Sequence, residues 1–210
     1  MKRAFVVGIS TLILGVSSTG MAASTSAWDY ASLALIVNGE VKEGPTSEDL
    51  KGYQLDVVKS LGTMAFVRAA TNAQHFDQSG LKSDLATQQV GVGARFPVAT
   101  GAMPIELWGS LNYERVSVAG PVGTGPGIDV GIRSQVTPQL DLNLAFKVYG
   151  DLSFGSGNDA DYTGYSLSAA YRFLPNLSGV LTFSDYKLEI SGGGQIDYDS
   201  IIGLGVRLHY

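Results

Sequence analysis

Across nearly all of the chain beyond residue 28, apolar side chains recur at every second position. That is the period of a β-strand, whose successive side chains point to opposite faces. At 140–149, Leu140, Leu142, Leu144, Phe146 and Val148 alternate with Asp141, Asn143, Ala145, Lys147 and Tyr149. At 128–136, Ile128, Val130, Ile132 and Val136 oppose Asp129, Gly131, Arg133 and Gln135. At 163–173, Tyr165, Leu167, Ala169, Tyr171 and Phe173 oppose Gly164, Ser166, Ser168, Ala170 and Arg172. At 86–96, Val90, Val92, Ala94 and Phe96 oppose Gln89, Gly91, Gly93 and Arg95, with Gln88 out of pattern. In the last segment, Ile196, Tyr198, Ile202, Leu204, Val206, Leu208 and Tyr210 fall on one face. Asp197, Asp199, Gly203, Gly205, Arg207 and His209 fall on the other.

Five further segments are less regular, at 29–39, 50–60, 63–73, 105–114 and 178–190, which brings the expected strands to ten. The first fits only with Ile36 inward, and the third only with Arg68 inward. Trp108 falls on the polar face of the fourth, after which Val116 and Val118 break phase in the manner of a bulge. The fifth changes phase between Phe183 and Tyr186. All seven prolines fall in the expected connections, where a missing N–H costs nothing. Short connections (Ser60–Thr63, Pro97–Pro104, Thr137–Gln139, Leu174–Leu177) alternate with mostly longer, more polar ones (Glu40–Asp49, His75–Lys82, Ala119–Pro126, Asp151–Ala160, Ser191–Gln195). The expected fold is all-β: a closed up-and-down antiparallel barrel of about ten strands, with eight as the alternative.

Composition narrows the function classes. The 210 residues are 45% hydrophobic and only 16% charged, too few charges for a coiled coil or a disordered acidic protein. With no Cys, disulfide frameworks, thiolate metal sites and cysteine nucleophiles are excluded. A net charge of −5 argues against a nucleic-acid partner. Met1, Lys2 and Arg3, the apolar run 4–16 and the small residues 17–23 have the order and lengths of a secretory signal peptide. Residues 1–23 are therefore expected to be removed after Ala22 or Ala23, leaving 24–210 as one barrel domain outside the cytoplasm.

A soluble barrel puts its apolar face inside, and an outer-membrane barrel puts it outside around a polar lumen. The polar positions here mix Gly and Ser with charges of both signs, as a narrow lumen requires. Two aromatic groups bracket the aliphatic positions: Trp28, Tyr30, Phe96, Tyr171, Phe173 and Tyr210 near one end, and Tyr53, Tyr113, Tyr165, Tyr186 and Tyr198 near the other. Membrane–water boundaries select such bands. In hydrocarbon every unpaired backbone group costs several kcal/mol, so first and last strands must join. An even strand number then leaves both termini on one side, expected to be the periplasm.

The last eight residues, Gly203-Leu-Gly-Val-Arg-Leu-His-Tyr210, resemble the C-terminal assembly signal of bacterial outer-membrane barrels through Gly205, Leu208 and Tyr210. The stretch Gly131-Ile-Arg-Ser-Gln-Val-Thr-Pro-Gln-Leu-Asp-Leu142 is similar to a strand–turn–strand of small opacity-type and OmpX-like barrels, which usually have eight strands. The resemblance implies a Gram-negative outer membrane as location, with its lipid and lipopolysaccharide as surroundings. It also implies the barrel assembly machinery as a partner of the last strand, and it implies no ligand.

Several groups are candidate sites. His75, Asp77 and Ser79 offer base, acid and hydroxyl in one expected outer loop. Ten-stranded omptin proteases use Asp and His groups at the barrel rim, but on a much longer chain with paired aspartates. The His-x-Ser-Asn pattern of lipid A deacylases is missing. Asp151, Asn158, Asp159 and Asp161 lack the twelve-residue pattern and closing Glu of a calcium loop. Glu40, Glu43, Glu48 and Asp49 suit divalent-bridged lipopolysaccharide, whereas Gly123–Gly127 has no Lys and opens no helix, so it is no phosphate loop. The remaining constellation is an expected lumen charge network of Arg95, Asp129, Arg133, Asp141, Lys147, Arg172, Asp197 and Arg207. Asp56, Arg68, Glu106, Glu114, Asp185, Lys187 and Glu189 are its further members.

Ten strands lie close to the size at which side chains fill the interior. The expectation is therefore a structural network, with a role in surface interaction, adhesion or envelope integrity through the outer loops, and with no catalysis, cofactor or metal. A narrow porin-like channel for small or hydrophobic solutes is the second reading. A surface lipid-modifying or proteolytic enzyme is the third.

Overall fold

The computed structural model describes residues 28–78, 81–118, 121–154, 159–192 and 194–210. The leader, Ser79 and Asn158 lie outside the described residues. The strands are β1 Tyr30–Glu43, β2 Thr46–Asp49, β3 Lys51–Leu61, β4 Ala65–Gln78, β5 Leu81–Ala99, β6 Ile105–Val118, β7 Val122–Gln135, β8 Leu140–Ser153, β9 Asp159–Leu174, β10 Leu177–Ile190 and β11 Gly194–His209. From β3 onward each strand pairs antiparallel with the next, β3 pairs with β1, and β1 pairs with β11 from Tyr30↔His209 to Glu43↔Ile196, so the sheet closes. The short β2 pairs with β1 alone. It takes over from β3 as the neighbour of β1 beyond Leu50, so the wall has ten staves. Gly44 at φ 57° precedes Pro45 in the two-residue β1–β2 turn, the arrangement that a mirror-image hairpin turn favours.

Alternation sorts the side chains as their period requires. Leu33, Leu35, Val90, Val92, Leu107, Leu111, Ile128, Val130, Ile132, Phe146, Val148, Leu167, Leu181, Leu204, Val206 and Leu208 are all exposed on the outer wall. In contrast, Asp129, Arg133, Gln89 and Arg207 are buried inside it. An oily exterior around a polar interior is the inverse of a soluble barrel. Along β8 the outward apolar positions run from Leu140 to Val148, about 20 Å of barrel axis at the usual strand tilt. Phe96, Tyr171 and Phe173 stand exposed toward the end that carries the chain termini, and Tyr53, Tyr113 and Tyr165 toward the other, the hairpin end.

Four expectations are corrected. The polar stretches 40–49, 75–82 and 119–126 are mostly strand, because the ladder keeps pairing beyond the apolar band. Alternation of apolar outward positions fades there because the outer face leaves the apolar band while the inner face becomes apolar. Pro97 and Pro126 lie within β5 and β7 rather than in connections. Each sits at a register shift, where a bulge leaves a backbone position out of the ladder. Val116 and Tyr186 mark no bulge or phase change of their own strands. Even-numbered residues face inward along all of β6 and β10, and the inner face simply becomes apolar near the hairpin end. The phase change beside Tyr186 belongs to β11, where Asp199 and Ser200 oppose the single residue Asp185, with Ser200 at φ 53°. That bulge turns Ile196 and Tyr198 inward. Trp28 and Tyr30 are likewise buried, so these three aromatics and the half-buried Tyr186 leave the expected bands.

Inward glycines share one purpose. Phe66, Tyr149, Trp108 and Tyr186 each lie across the ladder from a glycine, respectively Gly93, Gly127, Gly131 and Gly164. A Cβ at any of the four would come within 2.1–2.5 Å of the ring. The rings lie flat against bare backbone, a pairing that rescues strand glycines. At the seam Gly205 meets β1 itself, with a Cβ there only 2.0 Å from the Leu33 carbonyl oxygen. Gly205→Ala is therefore expected to lower stability by about 1–3 kcal/mol through overpacking. A reduced urea midpoint and a larger unfolded band on heat-modifiable gel migration would show it, whereas Gly179→Ala, whose Cβ would make only ordinary contact at 3.8 Å, is expected to leave both readouts in place.

Candidate functional site

The interior is tiered. At the hairpin end Leu50, Leu85, Val116, Tyr149, Leu152, Tyr162, Leu188, Tyr198 and Ile201 form a cluster in which none is more than 2% exposed. Tyr162 stacks on Tyr186 at 5.4 Å between centroids. At the terminal end Trp28, Phe66 and Trp108 pack together, with centroids 4.7 to 6.2 Å apart. Both clusters consist of inward residues that a polar lumen would not need. They line the bore on either side of the polar residues between them.

Between them lies a polar chamber of about 140 Å³, walled in part by Gln54, Asn72, Thr87, Asn143, Ser168 and Thr182. Asp129, 1% exposed, organises one side of it. Its carboxylate accepts from Arg68 Nη1 at 3.1 Å, Gln89 Nε2 at 2.8 Å and the Tyr149 hydroxyl at 3.0 Å. Arg68 Nε also donates to Asp56 at 2.7 Å, and Asp56 accepts the Tyr30 hydroxyl at 2.9 Å. Lys147 Nζ donates to Gln89 Oε1 at 3.1 Å and faces Glu114 at 3.5 Å. A buried charge is tolerated only when paired and hydrogen-bonded. Asp129 meets that condition through three strands other than its own.

The second group sits at the terminal end. Arg133 Nε donates to Asp141 Oδ2 at 2.8 Å, and Arg207 reaches the other carboxylate oxygen at 3.6 Å. Arg133 lies over the Trp28 ring at 4.9 Å and Arg207 over Tyr30 at 4.1 Å, within cation–π range. Arg95 donates to the Thr63 carbonyl at 2.9 Å and faces Trp28 at 5.4 Å. Trp28 Nε1 donates to Glu106 at 2.7 Å, and His209 Nε2 is 2.9 Å from Ser178 Oγ.

Of the expected network, Lys147 lines the chamber beside the buried Asp129; Arg133, Asp141 and Arg207 line it toward the terminal end, and Arg95 lies beyond them near Trp28. Arg172 lines a cleft there with His209 and Ser178, without an ion pair among the described residues. Asp197 is a correction. The β11 bulge puts it on the outer wall, where it accepts from Gln195 Nε2 at 2.8 and 2.9 Å. Asp185, Lys187 and Glu189 are outer-wall residues too: Lys187 pairs with Glu189, and Tyr165 donates to Asp185. Beside them Lys42 binds Asp199 at 2.8 Å and Glu40 at 3.4 Å, and these carboxylates hold its ammonium above the usual range.

Sequence reasoning missed Gln89 and Tyr149, the neutral ligands of Asp129, and missed both apolar clusters. Their only signal was apolar residues at inward parity near strand ends, legible once parity is known. The other candidates are structurally plain. His75 is an exposed member of β4, paired with Lys51 and Asp84 in the ladder. Asp161 Oδ1 accepts the backbone N–H of Asp151 at 3.3 Å, which closes its hairpin. Among the described residues no group of three or more His, Asp or Glu is arranged to hold a metal.

No family model matches this sequence, and no curated protein matches it. Among solved structures, the crystal structure of Neisserial surface protein A aligns at a TM-score of 0.40 with 11% identity, over 86% of this chain and 97% of that one.

Breaking one partner of a buried pair leaves an uncompensated charge, so Asp129→Ala is expected to cost about 3–5 kcal/mol. Asp197→Ala, on the wet outer wall, is expected to stay within about 0.5 kcal/mol. Urea titration of both variants in lipid vesicles measures the contrast, and equal losses would contradict the two placements.

Proposed function

We propose that this chain is an integral protein of a bacterial outer membrane, exported with its leader and assembled through the β11 signal. In this reading it is a distant relative of the small opacity-type and OmpX-like barrels, built on ten staves instead of eight. The outward apolar band, its two aromatic borders and the ionic interior support the membrane. Barrel closure supports it as well, since lipid offers nothing to an unpaired strand edge.

Its role in this reading is non-catalytic: surface interaction, adhesion or envelope integrity. The observation that carries it is the pair of packed apolar clusters inside the bore, one toward each end. Through-transport would have to pass the Tyr149–Tyr162–Tyr198 cluster and then the Trp28–Phe66–Trp108 cluster, both close-packed. The hairpin end then offers its strand-to-strand connections to the exterior. On the outer wall beside them lies the belt of Glu40, Lys42, Asp185, Lys187, Glu189, Asp197 and Asp199. A belt of mixed charge at that level suits the head-group layer of lipopolysaccharide.

In planar bilayers the purified barrel is expected to give no stepwise current. Tyr162→Ala combined with Leu188→Ala, which thins the outer cluster without removing an ion pair, is expected to introduce conductance while leaving heat-modifiable migration in place. Steady unitary currents from the unaltered protein would refute the sealed-barrel reading and favour the narrow channel.

A further inference from the structure

Between the two apolar clusters, the polar chamber of about 140 Å³ is bounded by charges that cancel. Arg68 is paired with Asp56 and Asp129, and Lys147 with Glu114. Arg133 and Arg207 share Asp141. On and just behind this wall, four cations therefore meet four carboxylates. An ion entering the space would shed its water and find no unpaired charge to replace it.

What the wall leaves unmet is neutral. The hydroxyls of Ser32, Thr87, Ser166 and Ser168 and the Nδ2 group of Asn143 line the chamber from β1, β5, β9 and β8. None of the five has a hydrogen-bond partner among the described residues, and none is walled in by packing. Each hydroxyl both donates and accepts, and the amide nitrogen donates. All five stand on ladder-paired strands, so their spacing is set by the barrel wall rather than by loops.

The chamber also has apolar faces. Tyr162 and Tyr186 line it on the side of the hairpin end, and Phe66 and Trp108 on the other. At ~30 Å³ per molecule it has room for roughly five waters, or for one solute of a few carbon atoms. Toward the terminal end it adjoins a cavity of about 230 Å³, which shares Trp28, Arg133 and Asp141 with it. A solute arriving from that end meets this shared layer of side chains before the chamber.

We infer that the chamber is a binding site for a small neutral polyol. The hydroxyls of such a molecule match the unmet donors and acceptors, and its C–H groups meet the rings. An apolar guest would strand the wall hydroxyls, and water brings no C–H surface to the rings. The inference goes beyond the proposed function: it concerns occupancy rather than passage, and an uncharged guest carries no current.

The test uses the full-length folded chain in detergent micelles. Its two tryptophans, Trp28 and Trp108, both line the chamber, so their fluorescence reports on its contents. Glycerol and erythritol are titrated against raffinose, a polyol too large for the space, and against sodium chloride. A saturable change with glycerol or erythritol, and with neither control, is expected. Thr87→Val and Ser168→Ala each delete a hydroxyl that no protein group engages, so both should keep the urea midpoint of the unaltered chain. Each should weaken polyol binding by about fivefold, the value of one neutral hydrogen bond. A loss confined to one variant would still support the site and assign the contact to that strand. A linear response without saturation, an equal response to raffinose or sodium chloride, or unchanged affinity in both variants would each overturn the assignment.

Discussion

Everything in this molecule depends on the ladder between its first and last strands. Twelve residue pairs join β1 to β11, and through them the sheet loses its edges. Closure lets the outer wall be oily, since no unpaired amide row is left to face lipid. It also makes the interior a small, shared space in which side chains from many strands must agree. Gly205 has no room for a side chain because the Leu33 carbonyl oxygen of the neighbouring strand lies 2.0 Å from where its Cβ would stand.

The interior meets this crowding with two opposite chemistries in sequence along the axis. Where rings are wanted, a glycine stands across the ladder to receive them, so bulk on one strand is matched by its absence on the next. Where charges are wanted, each is shared among several strands: Asp129 of β7 is held by Arg68 of β4, Gln89 of β5 and Tyr149 of β8. Such ties cross the bore, and they stiffen a closed wall whose hydrogen bonds run only between neighbours.

Much of the wall was legible because period two reports directly which residues share a face. The parity of β7 and β9 carries through whole strands and that of β8 as far as Tyr149, before an irregularity at Asp151 turns Leu152 inward; the inward turns of Ile36 and Arg68 are as the pattern demands. Reading failed where an apolar residue was taken to mean the outer face. Val116, Tyr186, Leu188, Ile196 and Tyr198 are apolar and inward, because an interior need not be polar along its whole length. For Asp197 the error was one residue of register: the Asp199–Ser200 bulge inverts parity within β11, and only the position of its partners reveals it.

From sequence alone came the strand period, the count of staves, the inverted distribution of greasy and ionic groups, and the residue types available to pair. Each of these is a local property, carried by neighbours two positions apart. Register, bulges and depth came only with the tertiary structure. They arise from ladders between segments far apart in the chain, and no local pattern encodes which Gly faces which ring. For the same reason the ionic residues separated into an inner network and an outer belt only once the cylinder was closed.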